Sequence, residues 1–275
     1  MAPRAGRLRR VLRPILGHPL LLPATALLLR AWTVRGSGRF VARELLRRRG
    51  PATYALRGAS TRVVVRHGTG DVATLGEVFH DRLYEPPASV VALLGPDGPA
   101  RVLDVGANVG MFGAWAADRW PGTTITGYEP DPVNAAAHAA TIAANGLGDR
   151  WRLVQAAATD HAGEMLFVPG LDADSHQATA GDPGAITVAA HDVLGEVTAA
   201  DLVKLDAEGG EWAILGDERF RRSPPPALVL EYHPQLAPGP DARAAAGTLL
   251  AAAGYTTAPI FHSPKGHGML WAWRG

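Results

Sequence analysis

The feature that most constrains this chain is the run Leu103-Asp104-Val105-Gly106-Ala107-Asn108-Val109-Gly110. A short apolar stretch, Arg101–Val105, runs into a glycine turn and then into a helical pattern, Met111–Trp120. An apolar run of that length reads as a strand buried on both faces. The same alternation continues downstream. Thr123–Tyr128 reads as a strand, Pro132–Asn145 as an Ala-rich helix with Asp131 as its N-cap, and Trp151–Ala157 as the next strand. Asp201–Asp206 and Ala227–Tyr232 are two more strands, with a helix over Glu211–Phe220 between them. A helix over Ala242–Ala253, capped by Gly254, leads to a closing hairpin, Tyr255–Phe261 and Gly268–Arg274. Strands alternating with helices predict an α/β doubly wound sheet, here with an antiparallel C-terminal hairpin.

The region before residue 100 has a different character. Residues 1–50 carry twelve arginines against the single acid Glu44, a net charge of +11, so the rest of the chain carries −10. Three readings fit a basic, partly apolar, helical head: an extension packed on the main domain, an interfacial helix drawn to anionic lipid, or a cleaved export signal. The export reading is the weakest, because Pro19 and Pro23 interrupt the apolar run. No apolar run approaches the ~18 residues needed to cross a bilayer. Within 51–99, Thr61–Arg66 reads as a strand, and Asp71 as the cap of a helix reaching Tyr84. A short helix near Ser89–Leu94 follows, then a turn over residues 95–99. We divide the chain into a basic helical extension, 1–60, and a main domain, 61–275, with its core motifs in 100–275. Residues 161–195 interrupt the strand–helix rhythm. Apart from short strands at Met165–Val168 and Ile186–Val188, they are expected to form an irregular loop or a substrate lid.

Four motifs carry chemistry. At the glycine turn, Gly106 permits a sharp bend and close ligand approach, and Gly110 stands where helix N–H groups are free. The spacing through Gly113 is G-x-x-x-G-x-x-G, not the G-x-G-x-x-G of a dinucleotide binder. In Tyr128-Glu129-Pro130-Asp131, Glu129 closes the next strand, where a carboxylate can accept both hydroxyls of a ribose, and Pro130 can cover an adenine face. In Asp201–Glu211, Lys204 and Asp206 share a strand face, while Asp206 and Glu208 emerge at the carboxyl end of the sheet, where such folds bind ligands. For Glu211, a dipole-stabilising place at a helix N-terminus competes with a role in the site. In Val229–Pro234, Glu231 and His233 end the neighbouring strand, and His233 is of a type that exchanges protons near neutral pH. With no cysteine in the chain, a Cys nucleophile and a Cys-ligated metal are excluded.

Together, D-V-G-A-N-V-G, E-P-D-P, K-L-D-A-E-G-G-E and L-E-Y-H resemble the FkbM-type family of S-adenosylmethionine-dependent methyltransferases over about residues 100–275. The resemblance implies a class I methyltransferase (Rossmann-like) fold, with a seven-stranded sheet whose last strand is antiparallel. It also implies O-methylation of a hydroxyl on a secondary metabolite, sugar or glycan. The glycine turn, with Asp104, Gly106, Asn108 and Gly110, would hold the methionine part of S-adenosylmethionine. Glu129 would hold the ribose, and Pro130 and Asp160 would lie near the adenine.

Methyl transfer needs the acceptor oxygen aligned with the methyl group and relieved of its proton. We expect Asp206, Glu208 and His233 to do this, one as base and the others as positioning groups. In a second version Asp206, Glu208 and Glu231 hold a divalent cation, for which an all-oxygen set favours Mg²⁺. The competing classes are a non-catalytic nucleoside-cofactor-binding protein, which would not need Asp206, Glu208 and His233, and a nicotinamide oxidoreductase, disfavoured by the glycine spacing. An acidic body without a basic, aromatic-lined groove argues against nucleic acid as the partner. We therefore expect a small-molecule or glycan acceptor and a cytoplasmic protein, with peripheral membrane contact through residues 1–50 as the interfacial reading.

Overall fold

The computed structural model describes residues 22–48, 50–170, 176–178 and 182–275. The part of the Arg-rich head before residue 22, residue 49, and residues 171–175 and 179–181 of the insertion lie outside them. The described chain begins with two helices, α1 (Leu22–Trp32) and α2 (Ser37–Leu45), followed by an antiparallel hairpin, β1 (Pro51–Ala55) and β2 (Arg62–Arg66). This hairpin spans the boundary expected at residue 60. Next come α3 (Asp71–Phe79) and α4 (Ala88–Leu94). Asp71 is not the N-cap of α3; Gly70 is, and the Asp71 carboxylate instead accepts from the Arg66 backbone N–H at 2.8 Å and pairs with its guanidinium. The helix also stops short of Tyr84: His80 and Asp81 both donate back to Gly76, and Arg82 turns left-handed at φ 58°.

From residue 101 the elements are β3 (Arg101–Val105), α5 (Met111–Arg119), β4 (Thr124–Tyr128), α6 (Pro132–Asn145) and β5 (Trp151–Val154). Asp131 caps α6 as expected, accepting from the N–H groups of Val133 and Asn134. The insertion is more ordered than an irregular loop. β6 (Ala157–Thr159), β7 (Gly163–Val168), β8 (His176–Gln177) and β9 (Ile186–Asp192) form a four-stranded sheet of order β6-β9-β7-β8. The single strand expected over Trp151–Ala157 is therefore two, because the chain leaves the main sheet after Val154 and β6 pairs with β9. The remainder is α7 (Leu194–Ala199), β10 (Leu202–Leu205), α8 (Glu211–Gly216), α9 (Glu218–Arg222), β11 (Ala227–Tyr232), α10 (Ala242–Ala252), β12 (Thr256–His262) and β13 (Gly268–Trp273). The helix expected over Glu211–Phe220 breaks at Asp217, whose extended backbone and carboxylate start a new helix by accepting the Arg219 N–H.

The main sheet has the order β12-β13-β11-β10-β3-β4-β5. All neighbouring pairs among β11, β10, β3, β4 and β5 are parallel, and β13 is antiparallel to both β11 and β12. This is the class I methyltransferase arrangement, a mixed seven-stranded Rossmann-like sheet. Strand order reverses between β3 and β10, so their carboxyl ends flank the crevice where open α/β sheets bind ligands.

Alternate residues of the central strands feed two cores. Val102, Leu202 and Val229 point to one face, where Phe112 and Trp151 pack with Phe40, Tyr54 and Val63 of the N-terminal elements. Leu103, Val203 and Leu228 point to the other, against Trp212, Phe220 and Leu250. Helices α1 and α2 thus share a core with the sheet rather than standing apart from it.

Candidate active site

The turn after β3 is shaped by left-handed residues: Gly106 (φ 72°), Asn108 (φ 48°) and Gly110 (φ 82°), the last being the N-cap of α5. A Cβ on Gly106 would overlap the carbonyl oxygen of Asp206, and one on Gly110 would meet the His138 ring. Glycine at 106 is therefore required by the chain's own packing as well as by its left-handed backbone. His138 is fully buried beneath this turn, with neither ring nitrogen hydrogen-bonded, and burial lowers its pKa to about 4.

Glu129 organises the turn. Its Oε2 accepts the Asn108 N–H at 2.7 Å and its Oε1 the Asp131 N–H at 2.9 Å. Burial pushes its pKa up to about 7, although these two donors favour the charged form. The same carboxyl lines a cavity of about 100 Å³ together with Gly106, Asn108, Pro130, Met165 and Phe167. Met165 and Phe167 come from β7, two residues apart and on one face. The sequence showed that strand but not that it walls a ligand cavity, since nothing local ties β7 to the end of β4.

Asp104 does not face this cavity. It is completely buried, 3.4 Å from Lys204 Nζ, and burial raises its pKa. Asp160 also falls outside the lining: its carboxylate accepts the Thr159 hydroxyl at 3.0 Å and stands 2.8 Å from His161 Nδ1. The neighbouring Thr159 lines the cavity instead.

A second cavity, of about 530 Å³, lies on the other side of the turn. It shares Gly106, Asn108, Asn134, Asp206 and Glu208 with the first, so the two adjoin along that strip. Its far walls come from Arg66, Glu77 and Tyr84 ahead of the sheet and from Glu231 and Met269 within it. Arg66 is braced by Asp71 and donates to Asn134 Oδ1 at 2.7 Å. Their part in the site was not visible in sequence, because the hairpin and α3 fold over the sheet from far upstream.

Charges concentrate where the cavities meet. Lys204 Nζ donates to the Gly106 carbonyl at 2.8 Å and to Asp206 Oδ2 at 3.0 Å. Burial alone would lower the lysine's pKa, but Asp206 and Asp104 outweigh it and hold the ammonium well above its usual range. Lys204 thereby pins the end of β3 to β10. Glu208 is left-handed at φ 49°, and its Oε2 stands 3.4 Å from His233 Nε2. Glu211 is fully buried. Its Oε2 accepts the Gly209 N–H at 2.8 Å, and its Oε1 accepts the His233 N–H at 2.8 Å and lies 3.2 Å from His233 Nδ1. Glu211 thus braces the loop and the imidazole, more than a dipole-favoured acid at a helix start would do.

Burial and the Asp206 charge raise the Glu208 pKa to about 7 and that of Glu231 to about 8. Burial would depress His233, but the Glu211 hydrogen bond and the charges of Asp206 and Glu208 raise it to about 10. The surrounding carboxylates thus favour the protonated form of His233, while burial and the Asp206 charge move Glu208 up out of the ordinary carboxylate range.

Asp206, Glu208 and His233 each place one possible ligand atom within 4.8 Å of the others. This set includes a histidine nitrogen and omits Glu231, so it differs from the oxygen-only set expected from sequence. Both carboxylates also already face a cation of the chain, Lys204 and His233 respectively.

Residues 104–256 match the Methyltransferase FkbM domain, more than half of the chain. The chain belongs to the FkbM methyltransferase family. Within this FkbM-family chain the matched span contains the glycine turn, Glu129 and the Asp206–His233 cluster, whereas Arg66, Asp71 and Tyr84 precede it. A 97-residue stretch is 41% identical to the 31-O-demethyl-FK506 methyltransferase FkbM of Streptomyces tacrolimicus. It covers 34% of this chain and 34% of that protein, so the match spans about a third of the relative's length. Similar solved structures include precorrin-6y C5,15-methyltransferase from Geobacter metallireducens, at 16% identity and TM-score 0.41 over 68% of this chain and 87% of that one. An O-methyltransferase family protein from Burkholderia thailandensis is also 16% identical, with TM-score 0.41 over 74% of this chain and 57% of that one.

Proposed function

We propose that this chain is an S-adenosylmethionine-dependent O-methyltransferase acting on a hydroxyl of a secondary metabolite, sugar or glycan. One observation carries the reading. The small cavity lined by the Glu129 carboxylate adjoins a larger cavity through a strip that bears Asp206 and Glu208. The chain offers partners for each part of the donor: the Glu129 carboxylate for ribose hydroxyls, Pro130, Met165 and Phe167 for an adenine, and Asp206 with Glu208 for positive charge. When bound, S-adenosylmethionine supplies an electrophilic methyl group on a cationic sulfur. The name of the Streptomyces relative, which puts a methyl group on an O-demethyl compound, supports oxygen as the acceptor atom.

In this reading the acceptor occupies the larger cavity with its hydroxyl toward Glu208. Glu208 takes the hydroxyl proton, since a base with pKa near the working pH is the most effective. His233, held by Glu211, orients Glu208 and balances its charge, so that of the three groups among which the base was expected this reading takes Glu208. Asp206, 3.0 Å from the Lys204 ammonium, stands beside the reacting centre. Apolar walls on the acceptor side, Tyr84 and Met269 among them, limit water in the cavity.

Calorimetry with S-adenosylhomocysteine, followed by a methyl-acceptor screen over polyketide and sugar alcohols, tests this. Glu208→Gln should bind the nucleoside normally and lose ~10²-fold or more in kcat. Absence of nucleoside binding by the unaltered protein would overturn the whole reading. Full turnover in Glu208→Gln would overturn the assigned base alone.

A further inference from the structure

Nine large hydrophobic side chains are exposed among the described residues, and five of them fall within residues 28–46: Leu28, Leu29, Trp32, Leu45 and Leu46. Leu28 and Leu29 stand four and three residues before Trp32, so the three share one face of α1; Leu45 and Leu46 stand at the end of α2. The inner faces of these helices are anchored. Ala31, Val34 and Phe40 are buried, and the Phe40 ring meets Tyr54 at 5.1 Å and His67 at 4.9 Å. Two helices fixed to the body thus hold an apolar strip on α1 and a pair of leucines at the end of α2 outward.

Within the described residues 22–48 every exposed charged side chain is an arginine. Arg35, Arg39, Arg47 and Arg48 are exposed, and the Arg57 guanidinium lies 4.7 Å from the Trp32 ring centre. Glu44, the single acid of the first 50 residues, is turned inward, accepting the Gly68 N–H at 3.1 Å and facing His67 Nδ1 at 3.0 Å. Residues 1–21 add five arginines and no acid.

We propose that α1 and α2 form a platform that docks on an anionic phospholipid surface. The leucines and Trp32 enter the boundary between headgroups and acyl chains, and the arginines meet the phosphates. Exposed arginines on helices that also expose a tryptophan suit a bilayer interface. The platform adjoins the larger cavity, because Arg30 of α1 packs along α3 at Gly76 and α3 supplies Glu77 and Val78 to the cavity wall. Resting on the methyltransferase reading, this contact brings acceptors that partition into the bilayer within reach of the site.

The test is co-sedimentation of the full chain with vesicles of phosphatidylcholine alone or mixed with phosphatidylglycerol, which reads docking without any methyl transfer. Binding should be ~tenfold or more tighter on the mixed vesicles and should weaken with added salt. Combined Leu28→Gln, Leu29→Gln and Trp32→Gln changes only exposed positions. It should keep the Tm and the S-adenosylhomocysteine affinity and lose ~tenfold or more of the vesicle affinity. Failure to sediment with mixed vesicles, equal binding to both vesicle types, or undiminished binding by the triple variant would each overturn the platform. Failure of nucleoside binding would strike the proposed function and leave this inference standing.

Discussion

Glu211 Oε1 accepts the backbone N–H of His233 at 2.8 Å and lies 3.2 Å from the Nδ1 of the same residue. One buried carboxylate thereby fixes both the end of β11 and the ring that faces Glu208. Its other oxygen holds the Gly209 N–H. In Glu211→Gln the amide can satisfy one side only, because its NH₂ must then oppose an N–H on the other. We expect kcat to fall ~tenfold or more with a smaller change in nucleoside affinity, and the His233 pKa, read by NMR titration, to drop from about 10. An unchanged His233 titration in this variant would show that Glu211 does not govern the imidazole.

Both oxygens of Glu129 already accept backbone N–H groups. Glu129→Gln should therefore weaken S-adenosylhomocysteine binding almost as much as Glu129→Ala, by ~tenfold or more in calorimetry. If the glutamine variant bound like the parent, the carboxylate would matter only as a shape and the link to the Asn108 turn would not.

Met165→Ala and Phe167→Ala test the β7 wall of the smaller cavity. Loss of apolar contact there should raise the Kd for S-adenosylhomocysteine by ~tenfold or more while sparing the KM of the acceptor. Effects of the reverse pattern would assign β7 to acceptor binding.

Glu129, Glu208 and Glu231 have pKa values of about 7, 7 and 8, above the usual 4.5, and His233 stands at about 10 against 6.5. In each case the folded chain holds a proton that the unfolded chain has released. The stability they contribute is complete below the unfolded values and is lost as pH rises through the folded ones. His138, lowered to about 4, acts in the opposite sense only below 6.5. The Tm of the ligand-free protein should thus fall between pH ~6.5 and ~9. Over the same range the affinity ratio of S-adenosylmethionine to S-adenosylhomocysteine should rise, since only the former carries the sulfonium. A flat ratio would remove the sulfonium from the Asp206–Glu208 strip.

Gly106→Ala should lower the Tm by ~5 °C or more, because the added methyl meets the Asp206 carbonyl in a left-handed residue. A stable variant would mean that β3 and β10 can separate at little cost.

Much of the main sheet was legible in the chain itself. Apolar strands of five or six residues, an N-cap at Asp131 and glycine turns are local signals, and they placed β3, β4, β10 and β11 to within a residue or two. Glu129, Asp206, Glu208 and His233 were legible as well, because carboxyl ends of parallel strands converge in this topology. What escaped was long-range. Asp104 looked available but is shut against Lys204, a contact across 100 positions of sequence. Arg66, Tyr84 and Phe167 reach the cavities through elements whose docking no local pattern specifies. The protonation of His233 depends on three carboxylates that only the fold assembles.

Glu208 and Gly209 are consecutive left-handed residues, at φ 49° and 102°. The first is an uncomfortable place for any residue with a Cβ and an easy one for a glycine. A chain with Glu208→Gly should relax there and become sturdier, yet fall idle. In the proposed mechanism this chain gives up robustness at Glu208 to hold its base, and ordinary stability-directed engineering would drift away from it.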